Sequence, residues 1–207
     1  MRVLVACEYS GTVRDAFRAL GHDAMSCDLL PTEVSGPHYQ GDVRDVLGDG
    51  WDLMVAHPPC TYLSYAANHV WEQPGRAEKR IEALWFFMQF VNAPIPRICI
   101  ENPVGLPNSV YRKPDQIIEP MYFGGPFLKR TCLWLKGLRQ LVHSPCETLF
   151  DCATHTERPR PAYVSSSGKN IHWTEANSGG HARSRSFPGI ARAMAEQWGG
   201  NALEVAA

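Results

Sequence analysis

Short apolar runs alternate with helix-like amphipathic segments through the first half of the chain, and few folds accept that pattern. Residues 2–7 (RVLVAC) form a β-branched, apolar run that reads as a buried strand. Ser10-Gly11-Thr12 follows, then Val13, Ala16, Phe17 and Leu20 at helical spacing, closed by Gly21. Ser10 or Thr12 suits the cap of this helix, and Gly21 suits its end. Residues 23–28 and 51–56 read as further strands, and 76–92 as a helix with Ile81, Leu84, Trp85, Met88 and Val91 on its inner face. Residues 97–101 and 131–138 add two more strands. Residues 187–198 form a last helix, with Pro188 in its first turn, Gly199 at its end, and Ile190, Ala191, Met194 and Ala195 inward. Alternation of this kind predicts an α/β fold with a doubly wound, mostly parallel sheet.

Sheets of this class bind ligands beyond the carboxyl ends of their strands. Polar residues stand at those places here. Cys7-Glu8-Tyr9-Ser10-Gly11-Thr12 follows the first strand, where helix N–H groups favour a carboxylate or phosphate. Asp28, followed by Leu29, ends the second strand, where an acid accepts both hydroxyls of a ribose. Asp42, in Gly41-Asp42-Val43, is placed to accept from an adenine amino group. Each acid alone reads equally well as a solvated loop carboxylate.

His57-Pro58-Pro59-Cys60 is the most informative segment. Two prolines remove two donors and stiffen the chain as it leaves a strand, so Cys60 is presented from a rigid element. A thiolate there can add to carbon 6 of a pyrimidine and make carbon 5 nucleophilic. The alternative is a buried structural cysteine. Glu101 and Asn102, after the next strand, face the same crevice, and a carboxyl group there can protonate or hydrogen-bond ring N3. Asn102-Pro103 is also a turn signal in its own right.

Size and charge set the remaining bounds. With 207 residues the chain suits one compact domain rather than two. No apolar run approaches the ~20 residues of a membrane span. The N-terminus lacks a basic stretch before its apolar run, so no signal peptide is expected. Seven scattered cysteines then read as reduced thiols. Residues 1–127 carry 10 Lys+Arg against 15 Asp+Glu, and residues 128–207 carry 10 against 6. A basic C-terminal third suits phosphates. His143, Cys146, Cys152 and His155 have zinc-type ligands in an H-x2-C…C-x2-H layout, against the alternative of scattered loop residues; no metal is expected.

Together these segments resemble the DNA cytosine-5 methyltransferase family. Residues 7–12 stand where the family has its Phe-x-Gly-x-Gly-Gly cofactor loop. Asp28 matches the ribose-binding acid, and Asp42-Val43 the adenine contact. Pro58-Pro59-Cys60 matches the Pro-Pro-Cys nucleophile motif, continued by Thr61-Tyr62-Leu63-Ser64. Glu101-Asn102-Pro103 resembles Glu-Asn-Val, and Lys129-Arg130 resembles the Arg-x-Arg pair. The likeness spans residues 2 to about 136 and, loosely, the last helix. Three departures stand out: one glycine of the cofactor loop's three, a shortened Arg-x-Arg, and only residues 139–180 where the family has a long target-recognition domain.

The resemblance implies a catalytic domain of the S-adenosylmethionine-dependent, Rossmann-like type over residues 1–138 and 181–207, with 139–180 as a loop-rich insertion. It implies S-adenosylmethionine bound by Cys7, Glu8, Ser10, Gly11, Thr12, Asp28, Leu29, Asp42, Val43 and Pro58. It implies catalysis by Cys60, Glu101 and Arg130, and DNA held by Pro59, Ser64, Asn102, Arg158 and Arg160. A cytoplasmic, bacterial or phage-encoded enzyme with no membrane or protein partner would fit. Three alternatives stay open: methylation of RNA or a free cytosine nucleotide, amino-methylation of adenine N6 or cytosine N4, and a non-catalytic nucleic-acid-binding relative. Amino-methyltransferases place (Asp/Asn)-Pro-Pro-(Tyr/Phe/Trp) after this strand, and His57 and Cys60 do not fit those flanks.

Overall fold

The computed structural model describes residues 1–125, 128–143, 163–171 and 186–200. Its centre is a seven-stranded sheet of order β3-β2-β1-β4-β5-β7-β6. The strands are β1 (Arg2–Ala6), β2 (Asp23–Asp28), β3 (His38–Gln40), β4 (Leu53–Ala56), β5 (Arg97–Pro103), β6 (Gln116–Ile118) and β7 (Thr131–Lys136). β3, β2, β1, β4 and β5 run parallel, while β7 lies antiparallel between β5 and β6. The helices are α1 (Thr12–Ala19), α2 (Arg76–Val91), the short α3 (Pro107–Val110) and α4 (Pro188–Gly199). The doubly wound, mostly parallel Rossmann-like sheet expected from the sequence is the observed fold.

Alternation along the strands explains both layers. Leu4, Ala6, Met54, Ala56, Ile98 and Ile100 point to one face, where Phe87 and Phe90 of α2 cover them. Val3, Val5, Leu53, Val55 and Cys99 point to the other, under Val13 and Phe17 of α1 and Ile190, Met194 and Trp198 of α4. Strands buried on both faces read as continuous apolar runs, which is why β1 and β4 stand out in the sequence.

Several expected boundaries move. β1 stops at Ala6 because Cys7 has φ 58°, the one positive φ outside glycine among the described residues. β4 begins at Leu53; Trp51 lies before it, buried, with its indole N–H donating to Val46 O at 2.7 Å. β7 stops at Lys136, since Gly137 takes φ 61° with its backbone pressed against Pro96 O. β5 runs on through Glu101 and Asn102 instead of turning there, because both residues pair with Leu133 and Cys132 of β7. The inner face of α2 is also rotated from expectation. Arg80, Phe87 and Phe90 are buried, whereas Ile81 and Trp85 are 69% and 56% exposed. Leu84, Met88 and Val91 pack partly against the core. The aromatic rings set the rotation: Phe87 packs edge-on against Trp134 of β7 at 5.2 Å and against Tyr111 at 6.1 Å.

Within the expected insertion, Tyr163–Val164 (β8) and Asn170–Ile171 (β9) pair antiparallel as a separate two-stranded ribbon. No helix among the described residues is long and apolar enough to cross a membrane.

Candidate active site

The loop after β1 is occupied largely by its own side chains. Glu8 is buried, and its carboxylate accepts from the N–H groups of Val13 (2.7 Å) and Arg14 (3.2 Å). These are first-turn donors of α1, so Glu8 caps the helix from the preceding loop. The N-cap residue is Gly11 and has no side-chain bond, but Ser10, expected as a cap, accepts from the first-turn N–H of Thr12 at 3.3 Å; Thr12 does not cap. Ser10 Oγ also bonds Glu8 Oε1 at 3.2 Å and Thr12 Oγ1 at 3.1 Å. A ligand carboxylate or phosphate at this terminus would find the Val13 and Arg14 N–H groups already taken by Glu8. Gly11 has φ 74°, and a Cβ there would lie 2.5 Å from the Arg14 guanidinium. Arg14 is fully buried and ties Ser26, Thr32 and Val34 O together. The retained glycine therefore serves Arg14.

The expected cofactor residues at the ends of β1 and β2 converge. Burial first, and then Asp28, Cys27 and Asp42, push the Cys7 thiol well up, so those groups face one another and Cys7 stays protonated. Cys27 is pushed up to about 12 by burial and then by Asp28. Asp28 Oδ1 accepts from Leu30 N–H at 2.9 Å, and its other oxygen has no partner among the described residues. Leu29 beside it is exposed. Asp42 is more committed. It caps the 3-10 turn at Val43–Asp45 through Arg44 N–H at 2.9 Å, and it holds the Arg44 guanidinium with both oxygens. The Arg44 side chain, then its backbone N–H, keep the Asp42 carboxyl below its usual range. Val43 is buried under the turn.

β4 and β5 bring the remaining candidate residues together. Ala56 pairs with Ile100, so the residues that follow, His57 and Glu101, are neighbours across the sheet. His57 Nδ1 lies 2.8 Å from Glu101 Oε2, with the side chains 9% and 17% exposed. Asn102 Nδ2 donates to Pro58 O at 2.7 Å. Asn102 was expected at the substrate; it is buried, its Nδ2 is used on the loop that carries Cys60, and its Oδ1 has no partner among the described residues. Ser64, also expected there, caps the turn Tyr65–Val70 through Ala66 N–H at 3.2 Å. It also forms a bridge with Gly105, where a Cβ would stand 2.1 Å from Leu63 O. The two loops are thus joined by His57–Glu101, Asn102–Pro58 and Ser64–Gly105. From this frame Pro58 is buried, while Pro59 and Cys60 are exposed. Of the described cysteines, Cys27, Cys99 and Cys132 are buried and Cys7 is half-buried, leaving Cys60 as the exposed thiol.

Burial would raise the Glu101 carboxyl. The His57 hydrogen bond, then the Lys129 and His57 charges, outweigh it and hold the group below its usual range. Glu101 is accordingly an anion at neutral pH. A cleft opens beside it, lined by Val13 of α1, His57, Glu101, Lys129, Thr131, and by Ser186, Phe187, Ile190 and Met194 at α4. Cys60 does not line this cleft. Neither does Arg130, which was expected to be catalytic: it is exposed, and its neighbour Lys129 takes the place in the cleft. Alternation into β7 decides this, since Thr131 also faces the cleft and Arg130 between them turns away.

Sequence reasoning named His57 and Lys129 within their motifs but assigned neither a role at the site, and gave the place of Lys129 to Arg130. A polar residue before Pro58-Pro59 was visible, but its partner depends on strand register. A cationic and aromatic cluster after Cys60 was missed. The Tyr62 ring has Arg76 at 5.2 Å and Lys79 at 5.6 Å, and the Trp71 ring has Arg80 at 3.6 Å. His143 is stacked on Tyr122 at 4.6 Å. Cys146, Cys152, His155, Arg158 and Arg160 lie outside the described residues. Among the described residues no cluster of three or more His, Cys, Asp or Glu could hold a metal ion.

No family model matches the chain, and no curated protein matches it. Among solved structures, it is similar to the crystal structure of the S. pombe Dnmt2 methyltransferase, with 17% identity and a TM-score of 0.41 over 68% of this chain. It is also similar to the Entamoeba histolytica methyltransferase EhMeth, with 15% identity and a TM-score of 0.45 over 70% of this chain. The chain spans 50% of the length of the first and 57% of the second.

Proposed function

We propose that the protein transfers a methyl group from S-adenosylmethionine to carbon 5 of cytosine in a polynucleotide, DNA first, through a covalent Cys60 adduct. The observation that carries this reading is the exposed Cys60 on a loop fastened to Glu101 and Asn102 by two hydrogen bonds. A nucleophile on the loop that follows β4 and a carboxylate on the adjacent β5 are then tied together, as covalent catalysis on a pyrimidine requires.

The cofactor fits best at its nucleoside end. Asp28 keeps an oxygen for a ribose hydroxyl, and the exposed Leu29 beside it offers apolar surface for adenine. The amino-acid end does not fit the α1 terminus, where Glu8 sits. When bound, S-adenosylmethionine supplies an electrophilic methyl group. The chain does the rest. Cys60 Sγ bonds to ring C6 while the C5–C6 π pair moves to C5, and the thiol proton passes to N3. Glu101, an anion at neutral pH in the free protein, stabilises that proton on N3. C5 takes the methyl group, the C5 proton leaves to solvent, and the returning pair breaks the Sγ–C6 bond while the N3 proton returns to Sγ. Phe187, Ile190 and Met194 give the cleft beside Glu101 an apolar wall.

A polynucleotide partner is supported by Arg76 and Lys79 beside Tyr62, two residues after Cys60, and by the basic C-terminal third with Arg158 and Arg160. The test is incubation with labelled S-adenosylmethionine and DNA, RNA or cytidine nucleotides, followed by nucleoside analysis and trapping on 5-fluorocytosine DNA. Label in 5-methylcytosine with a trapped adduct is expected. Label on N4 or N6, or none, defeats the reading; label in RNA or nucleotide alone replaces the substrate.

A further inference from the structure

We propose that His57 is a positioning residue for Glu101, fixing the carboxylate in place and turning its second oxygen into the cleft; this rests on the methyl-transfer reading above. Backbone register brings the pair together. His57 N–H donates to Ala6 O at 2.9 Å, which continues the ladder of β4 one residue past its end. Ala56 opposite Ile100 then sets His57 beside Glu101. An ionised carboxylate only accepts, so the 2.8 Å contact makes Nδ1 the donor.

Nε2 is the second observation. It is buried and has no hydrogen-bond partner among the described residues, on a ring that lines the cleft. A histidine kept only for structure would satisfy both nitrogens. An unpartnered ring nitrogen beside an anion in a cleft is placed to meet a polar group that arrives with the substrate. The groups facing Glu101 from the neighbouring elements are Lys129 before β7, Cys132 on β7 and Cys99 on β5. Burial keeps both thiols protonated, so His57 and Lys129 are the groups that set the carboxylate's charge.

Two measurements test this on the full chain. The first is the titration midpoint of the Glu101 carboxyl by carbon-13 NMR, which needs no activity. His57→Ala should move it upward, because burial is then opposed by Lys129 alone. His57→Asn, whose Nδ2 can donate in place of Nδ1, should return it toward the wild-type value. The second is kcat/KM against pH. His57→Ala should lower kcat by about tenfold or more and move the acid limb to higher pH, with S-adenosylmethionine affinity unchanged. His57→Asn should recover much of the rate. A midpoint unmoved in His57→Ala, or an Asn variant no better than Ala in a folded protein, overturns the proposal. If the wild-type protein transfers no methyl group while the midpoint moves as expected, the positioning of Glu101 stands and the methyl-transfer reading falls.

Discussion

Glu101 is a carboxylate made dependable by its neighbours. Its ordinary titration would be raised by burial, yet His57 and Lys129 bring it below the usual range. A depressed folded-state value adds stability that is present above the unfolded pKa and lost as pH falls through the folded one. Glu101→Gln should therefore flatten the fall in stability on acidification below the usual carboxylate range, which urea melts at several pH values would read. The same variant should lower methyl transfer by on the order of a hundredfold, with cofactor affinity held. Cys60→Ser should abolish transfer and leave the melting temperature and cofactor binding near wild type, because the exposed side chain carries no core packing. Turnover by that variant would remove Cys60 from the chemistry. Asp28→Ala should weaken S-adenosylmethionine about ten- to a hundredfold, as loss of a charge-assisted hydrogen bond of ~1.5–3 kcal/mol implies; calorimetry checks it.

At the scale of elements, α1 depends on a residue outside it. Glu8→Ala strips the partner from the Val13 and Arg14 N–H groups in a buried setting. A loss of about 2 kcal/mol in urea unfolding is expected. The faces of α2 give a sharper contrast. Phe87→Ala should cost about 3–5 kcal/mol, and Trp85→Ala should stay within about 0.5 kcal/mol. Equal costs would mean that the helix is rotated as the sequence suggests. That contrast also shows what periodicity leaves open. Residues 81–91 are apolar on more than one side, so spacing alone cannot say which side meets the sheet. The rings of Tyr111 and Trp134 decide it, and they come 24 and 47 residues after Phe87 in the chain. β3 and β6, with three residues each, are too short to show a period. β1, β2, β4 and α4 were legible because each is long enough, or buried enough, to carry its pattern alone. The Cys60 and Glu101 positions were legible because strand ends were. The roles of Lys129 and His57 were not, since each needs a register that no local stretch encodes.

The whole molecule places its acidic and basic parts unevenly, with 15 Asp+Glu in residues 1–127 and 10 Lys+Arg in residues 128–207. Binding to a fluorescent oligonucleotide should weaken steeply with salt. Replacing Arg158 and Arg160 together should flatten the log–log slope by roughly two units if both contact phosphates. A flat slope in the wild type would favour a nucleotide substrate.

The order of the sheet has a consequence for how the protein is made. β5, which holds Glu101, is synthesised before the strand that closes its outer edge, and β6 emerges between the two. Until residue 136 has cleared the ribosome, a run of Ile98, Cys99 and Ile100 presents an unpaired backbone edge. The nascent chain at that stage already holds Glu101 but not the strand that pairs with it. Slowed translation between residues 103 and 131 should therefore lower the soluble yield more than an equal pause after residue 140.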